Sequence, residues 1–121
     1  RGYGWWIAEI KESGTFAGSI ALIEVSFEAH FTPATEIGWR LAYQQWGNGY
    51  ATEGAAAALR FAFEVLGRRE VVAMTAVDNV RSRRVMERLG MTHDPRDDFD
   101  HPRLPKGHPL ERHVLYRARP A

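Results

Sequence analysis

The stretch Gln45-Trp46-Gly47-Asn48-Gly49-Tyr50-Ala51-Thr52-Glu53 has the residue types and spacing best suited to hold a ligand. Glycines at alternate positions, Gly47 and Gly49, let the main chain approach a diphosphate without a Cβ in the way. The segment lies between a strand-like run, residues 36–42, and an alanine-rich helical run, residues 51–66. Its N–H groups therefore open a helix at the positive end of the dipole, where an anion, most often phosphate, is stabilised. A Walker phosphate loop ends in Gly-Lys-Ser/Thr, whereas this turn runs Gly49-Tyr50-Ala51. A dinucleotide fingerprint needs a third glycine and an acidic residue roughly 20 positions on, and Asp78 lies about 30 beyond the turn. Both nucleotide patterns fail, so on the turn alone a phosphorylated ligand of another kind and a tight turn with no ligand both remain.

A second polar group stands where the next strand gives way to a helix. Asn79 precedes Val80-Arg81-Ser82-Arg83-Arg84-Val85-Met86-Glu87-Arg88-Leu89-Gly90. Alone, Asn79 reads as a helix N-cap. Taken with the glycine turn, it closes the second of two consecutive strand–helix units. If those strands are neighbours, both sites look into the crevice at their carboxyl ends, where open α/β sheets place ligands.

The elements that position these residues follow from periodicity and punctuation. Residues 5–10 and 15–22 form a β-hairpin around the polar turn Lys11-Glu12-Ser13-Gly14. Residues 27–33 are a loop. A third strand spans 35–42, with Ile37, Trp39 and Leu41 alternating with Glu36, Gly38 and Arg40. Ala55, Leu59, Ala62, Phe63 and Leu66 recur at helical spacing, and Gly67 is the stop. The nearly continuous apolar run 70–77 predicts a central strand buried on both faces. A second helix over 80–89 has Val85, Met86 and Leu89 as its stripe and Gly90 as its stop. Residues 93–109, with four prolines, read as a long polar loop, and 112–119 as a closing strand. The order is β-β-β-α-β-α-β.

Composition narrows the function classes. A chain of 121 residues with 45% hydrophobic content supports one domain with a real core. The formal charge of +1 argues against a nucleic-acid partner. The absence of cysteine removes disulfides, thiolate nucleophiles and Cys-ligated zinc. No apolar run reaches bilayer-crossing length and no signal peptide is visible, so no membrane role and a soluble cytoplasmic location are expected.

Trp46 to Glu53 matches a pyrophosphate turn written Trp-Gly-x-Gly-Tyr-Ala-Thr-Glu, and Asn79, Ser82 and Arg84 match an Asn-x-x-Ser-x-Arg helix entry. Asp98 to Pro102 and Gly107 to Leu110 match a closing Asp-Phe-Asp-His-Pro and Gly-His-Pro-Leu pair. On these motifs the chain resembles the GNAT N-acetyltransferase superfamily, in particular its ribosomal-protein N-terminal acetyltransferase-like branch. The resemblance implies an α/β (α+β) fold with a mixed, mostly antiparallel sheet and flanking helices. It implies a single N-acetyltransferase domain over 1–121, N-terminally truncated, since the family's first strand and two helices have no counterpart before Tyr3. Many members also carry a tyrosine acid on the second helix where this chain has Met86.

The resemblance further implies transfer of an acetyl group from acetyl-CoA to a primary amine, by direct attack in a ternary complex and without a metal. The pantetheine arm is expected on the backbone of Leu41, Ala42 and Tyr43. The diphosphate is expected on the turn and first helical residues, Trp46, Gly47, Asn48, Gly49, Tyr50, Ala51 and Thr52. Asn79 is expected beside the pantetheine, Ser82 near the sulfur, and Arg83 or Arg84 at the CoA phosphates. Glu36 is the candidate base, directly or through a water. Ser82 is the candidate acid. A backbone N–H near Ala42 is the candidate oxyanion donor, a role commonly worth ~3 kcal/mol.

Glu53 reads as a structural carboxylate at a helix start. Phe99, His101 and His108 are candidate acceptor contacts; the spacing of His93, Asp94, Asp97, Asp98, Asp100 and His101 fits no zinc pattern. Two other readings of the chain are a non-catalytic acyl-CoA-binding module and a small metal-binding domain. A strand edge at 5–10 makes a homodimer plausible.

Overall fold

The computed structural model describes residues 4–12, 15–41 and 50–120. Among the described residues the elements follow in the order β1 (Gly4–Glu12), β2 (Thr15–Glu24), β3 (Thr35–Leu41), α1 (Tyr50–Glu64), β4 (Val71–Ala76), α2 (Val80–Arg88), β5 (Thr92–His93), a 3₁₀ turn (Pro95–Asp97), β6 (Phe99–Asp100) and β7 (Arg112–Ala118). They build one sheet in the order β1-β2-β3-β4-β7-β5, with β6 also on β7. Every pairing is antiparallel except β3 with β4. That exception has a topological cause, because a parallel neighbour needs a crossover, here supplied by α1.

Both helices pack on one face of the sheet. Ala55, Ala58 and Ala62 of α1 are fully buried, so small side chains let the helix lie close over Ile20, Leu22, Ile37, Val71 and Ala73. Burying one such aliphatic side chain is worth about 1.5–3 kcal/mol. Met86 of α2 joins the same core beside Val114 and Tyr116.

Glycines end both helices. Gly67 has φ 68°, and the Val65 and Leu66 N–H groups donate to Phe61 O, so α1 stops at Glu64, two residues before the expected end. At α2, Gly90 has φ 78°. Its N–H donates to Glu87 O at 3.0 Å, and the Met91 N–H to Met86 O at 3.1 Å. Met91 then buries against the same core as Met86, completing a left-handed helix cap of the Schellman type.

The opposite face carries a second core. Val72 and Leu115 pack with Phe31 and Phe99, bordered by Val25, Phe27, Ala29, Ala34 and Met74. Residues 93–109 are therefore not simply a long polar loop. Thr92 and His93 pair with Arg117 and Tyr116, and Phe99 and Asp100 pair with His113 and Arg112. The free edge of β7 offers backbone partners to two short strands in turn, and buried Phe99 anchors the second.

The strand expected to be buried throughout is so only in its first half. Val71, Val72 and Ala73 are buried, while Met74, Thr75 and Ala76 are half-buried.

Candidate active site

The parallel pair sets the geometry. β3 and β4 share one register position, Glu36 with Val72, near the start of both strands. Beyond it β3 runs on to Leu41 and β4 to Ala76 with no further register partner between them, and there β4 loses its burial. Both strands run toward the same edge, where α1 begins at Tyr50 and α2 at Val80. The first-turn N–H groups of α1, at Tyr50, Ala51 and Thr52, have no partner within the helix, which is the requirement for anion binding there. The other predicted turn and pantetheine positions, Ala42, Tyr43, Trp46, Gly47, Asn48 and Gly49, lie outside the described residues, as does any backbone donor near Ala42. Leu41 is the last residue of β3.

Glu36 and Ile37 point to opposite faces of β3, as alternation requires. Ile37 enters the helix-side core, which leaves Glu36 on the other face, beside Val72. Its half-buried carboxyl makes no hydrogen bond or ion pair to any described residue. Burial raises its pKa from 4.5 to about 7. A carboxyl with these properties can accept a proton near neutral pH. Nearby Thr35 is buried and fixed: its hydroxyl donates to Glu24 Oε1 at 3.0 Å and accepts from Arg68 Nε at 2.9 Å.

Asn79 caps α2, its Oδ1 accepting the Ser82 N–H at 3.2 Å. The residue is exposed, and its carboxamide N–H donors have no partner among the described residues. Cap and ligand readings are thus compatible, since the cap uses only the oxygen. Ser82 is buried in the first turn of α2. Arg84 is exposed on the helix. Arg83 is not: its Nη1 donates to Val77 O at 3.0 Å and its Nε to the Tyr116 hydroxyl at 3.3 Å. Of the two arginines considered for the CoA phosphates, only Arg84 is uncommitted.

The expected acceptor contacts divide. Phe99 is a core residue, packed at 5.1 Å from the Phe31 ring. His101 and His108 are half-exposed, each accepting a backbone N–H at Nδ1, from Arg103 and Leu110. Sequence reasoning missed His113, whose ring lies 4.9 Å from His101 and 5.7 Å from Phe99. Burial holds His101 and His113 below the usual histidine pKa. Strand periodicity could have placed His113 on the face of Leu115, opposite Val114 and Tyr116.

Among the described residues no three His, Asp or Glu side chains converge to hold a metal. The loop carboxylates engage arginines and histidines instead: Asp94 with Arg96, Asp97 with Arg117 and His30, Asp98 with His93, Asp100 with Arg112.

This sheet, parted at one parallel pair with two helices opening at the gap, defines a GNAT-type domain. The family model for the acetyltransferase (GNAT) domain matches residues 1–92, and the chain belongs to that family. It is 40% identical over 96 residues to FsC-acetyl coenzyme A-N(2)-transacetylase of Aspergillus fumigatus, covering 76% of this chain and 40% of that protein. An acetyltransferase structure from Agrobacterium tumefaciens is 31% identical with a TM-score of 0.65, over 91% of this chain and 57% of the other. Mycobacterium smegmatis RimJ, at 22% identity, shares the fold with a TM-score of 0.72, over 92% of this chain and 51% of its own. The chain thus spans 40% to 53% of the length of the first two curated relatives it matches.

Proposed function

We propose that this domain transfers an acetyl group from acetyl-CoA to a primary amine, either a protein N-terminus or a small-molecule amine. The observation that carries the reading is the parting of β3 from β4 after Glu36 and Val72, with the openings of α1 and α2 at the same edge. The 40% identical relative, whose name is that of an acetyl coenzyme A transacetylase, supports the same chemistry.

Acetyl-CoA supplies an acyl group already activated as a thioester, so no enzyme nucleophile is required, in keeping with a chain that has no cysteine. The backbone of Leu41, Ala42 and Tyr43 holds the pantetheine arm. Trp46, Gly47, Asn48, Gly49, Tyr50, Ala51 and Thr52 hold the diphosphate, with Arg84 as a neutralising cation. Asn79 donates to the pantetheine from the side of its carboxamide that the cap leaves free. Glu36 takes the proton from the acceptor ammonium, directly or through a water. A base with a pKa about 7 divides its protonation states near neutral pH, which suits both accepting and releasing that proton. Ser82 gives a proton to the departing thiolate. The domain occupies residues 1–121, works in the cytoplasm without a metal, and pairs with a second copy along the β1 edge.

Calorimetry with acetyl-CoA tests the site. Uptake by the wild type and its loss in Gly49→Asp, which places a carboxylate in the diphosphate turn, is the expected pair of results. A thiol-release assay over a panel of amines tests turnover. Tight coenzyme binding with no thiol released from any amine would favour the second reading, a non-catalytic acyl-CoA-binding module, which the absence of a tyrosine at Met86 also favours.

A further inference from the structure

Three residues, Val77 to Asn79, separate the last register pair of β4, Ala76 with His113, from the first residue of α2. Asn79 is held in this short connection by its own N–H, which donates to Ala76 O at 3.0 Å, and by its capping bond. Those bonds tie Asn79 to the end of β4 and to α2, and the Val77 N–H, donating to Arg112 O at 3.1 Å, ties the start of the turn to β7.

Arg83 adds a side-chain clamp. One nitrogen of its guanidinium binds the Val77 carbonyl and another the Tyr116 hydroxyl. Tyr116 is buried in β7, its hydroxyl donates to Glu87 Oε2 at 3.0 Å, and its ring stacks on His93 at 5.0 Å. His93 is in turn fixed by Asp98 at 2.8 Å. The clamp therefore joins the strand end, the first turn of α2 and the central antiparallel partner of β4. A planar fork with donors in fixed directions suits two acceptors on different elements, as a single ammonium does not.

We infer that Arg83, braced by Tyr116, is a positioning residue that sets Asn79 against the acyl-donor arm rather than a phosphate contact. The inference rests on the proposed acetyl-CoA site. A wrongly placed turn leaves α2 folded and capped but displaces the carboxamide donor that the coenzyme meets.

A double-mutant cycle separates this role from general stabilisation. Acetyl-CoA dissociation constants are measured by calorimetry for wild type, Arg83→Met, Asn79→Ser and the double variant, with melting temperatures in parallel. Asn79→Ser keeps a capping oxygen and removes the carboxamide. Arg83→Met is expected to weaken binding about 10-fold, and Tyr116→Phe about 3-fold. Neither should weaken it further once Asn79 is serine, although both still lower the melting temperature. Full additivity overturns the inference, because Arg83 would then act on the ligand directly or through its charge. A lowered melting temperature with unchanged affinity overturns it as well. If Arg83→Met does not fold, the Tyr116→Phe cycle gives the same decision. A wild type that takes up no acetyl-CoA overturns the proposed function and this inference together, whereas failure of the cycle alone leaves that function standing.

Discussion

Glu36 stands beside Val72 at the single register position where β3 and β4 pair in parallel, and its carboxyl has no described partner. Desolvation lifts its pKa from 4.5 to about 7. A group that binds its proton more tightly when folded favours the fold fully below pH 4.5. That advantage fades as pH rises and is gone above about 7. Glu36→Gln removes the cost of burying the charge. The variant should be more stable than wild type at pH 8, by about 1–3 kcal/mol, and equal to it at pH 4. It should also release little thiol in the amine assay. Thermal melts across that range decide; no gain at pH 8 would mean the carboxylate is well solvated.

His101 and His113 titrate in the opposite sense. Burial lowers both values, and each ring faces the other, with Arg103 also lowering His101. A base whose pKa is depressed contributes stability above its ordinary value of 6.5, which is lost as pH falls through the folded value. Since protonation of Glu36 opposes this trend, the measurement belongs in the Glu36→Gln background. There, stability should fall between pH 7.5 and pH 5.5, and His113→Gln should reduce that fall. An unchanged slope would place both rings in water.

Phe99→Ala distinguishes a core role from an acceptor contact. Removing a buried ring should cost about 3–5 kcal/mol in a denaturant titration. Acetyl-CoA affinity of the folded fraction should stay within twofold of wild type. A mild stability loss with altered amine preference would restore the contact reading.

Gly90→Ala tests the helix stop. A Cβ at Gly90 meets nothing within 4 Å, so the change exerts only the backbone cost of φ 78°. That cost is about 1 kcal/mol, and Gly90→Asn should show less of it. The urea midpoint should drop with the slope unchanged. A shift above 3 kcal/mol would instead implicate the site edge.

What could be read directly from the sequence was local. The alternation around Ile37, the alanine stripe of α1, the left-handed stops at Gly67 and Gly90 and the Asn79 cap each depend on a few neighbouring residues. Steric limits on φ and side-chain periodicity act at that range, so the elements and the family motifs were legible before any packing was known. One reading that failed, a long polar loop over 93–109, did so because His93, Phe99 and Asp100 find their partners on β7, a strand that comes later in the chain.

Tertiary structure alone decided the rest. Whether Glu36 is an ordinary surface carboxylate or a base near neutrality depends on desolvation by segments distant in sequence. Whether Arg83 or Arg84 is available to an anion depends on Tyr116, 33 positions away from the residue it binds. Chain order names the groups able to do chemistry; burial and the partners brought in from other strands set their charge, their direction and their freedom to act.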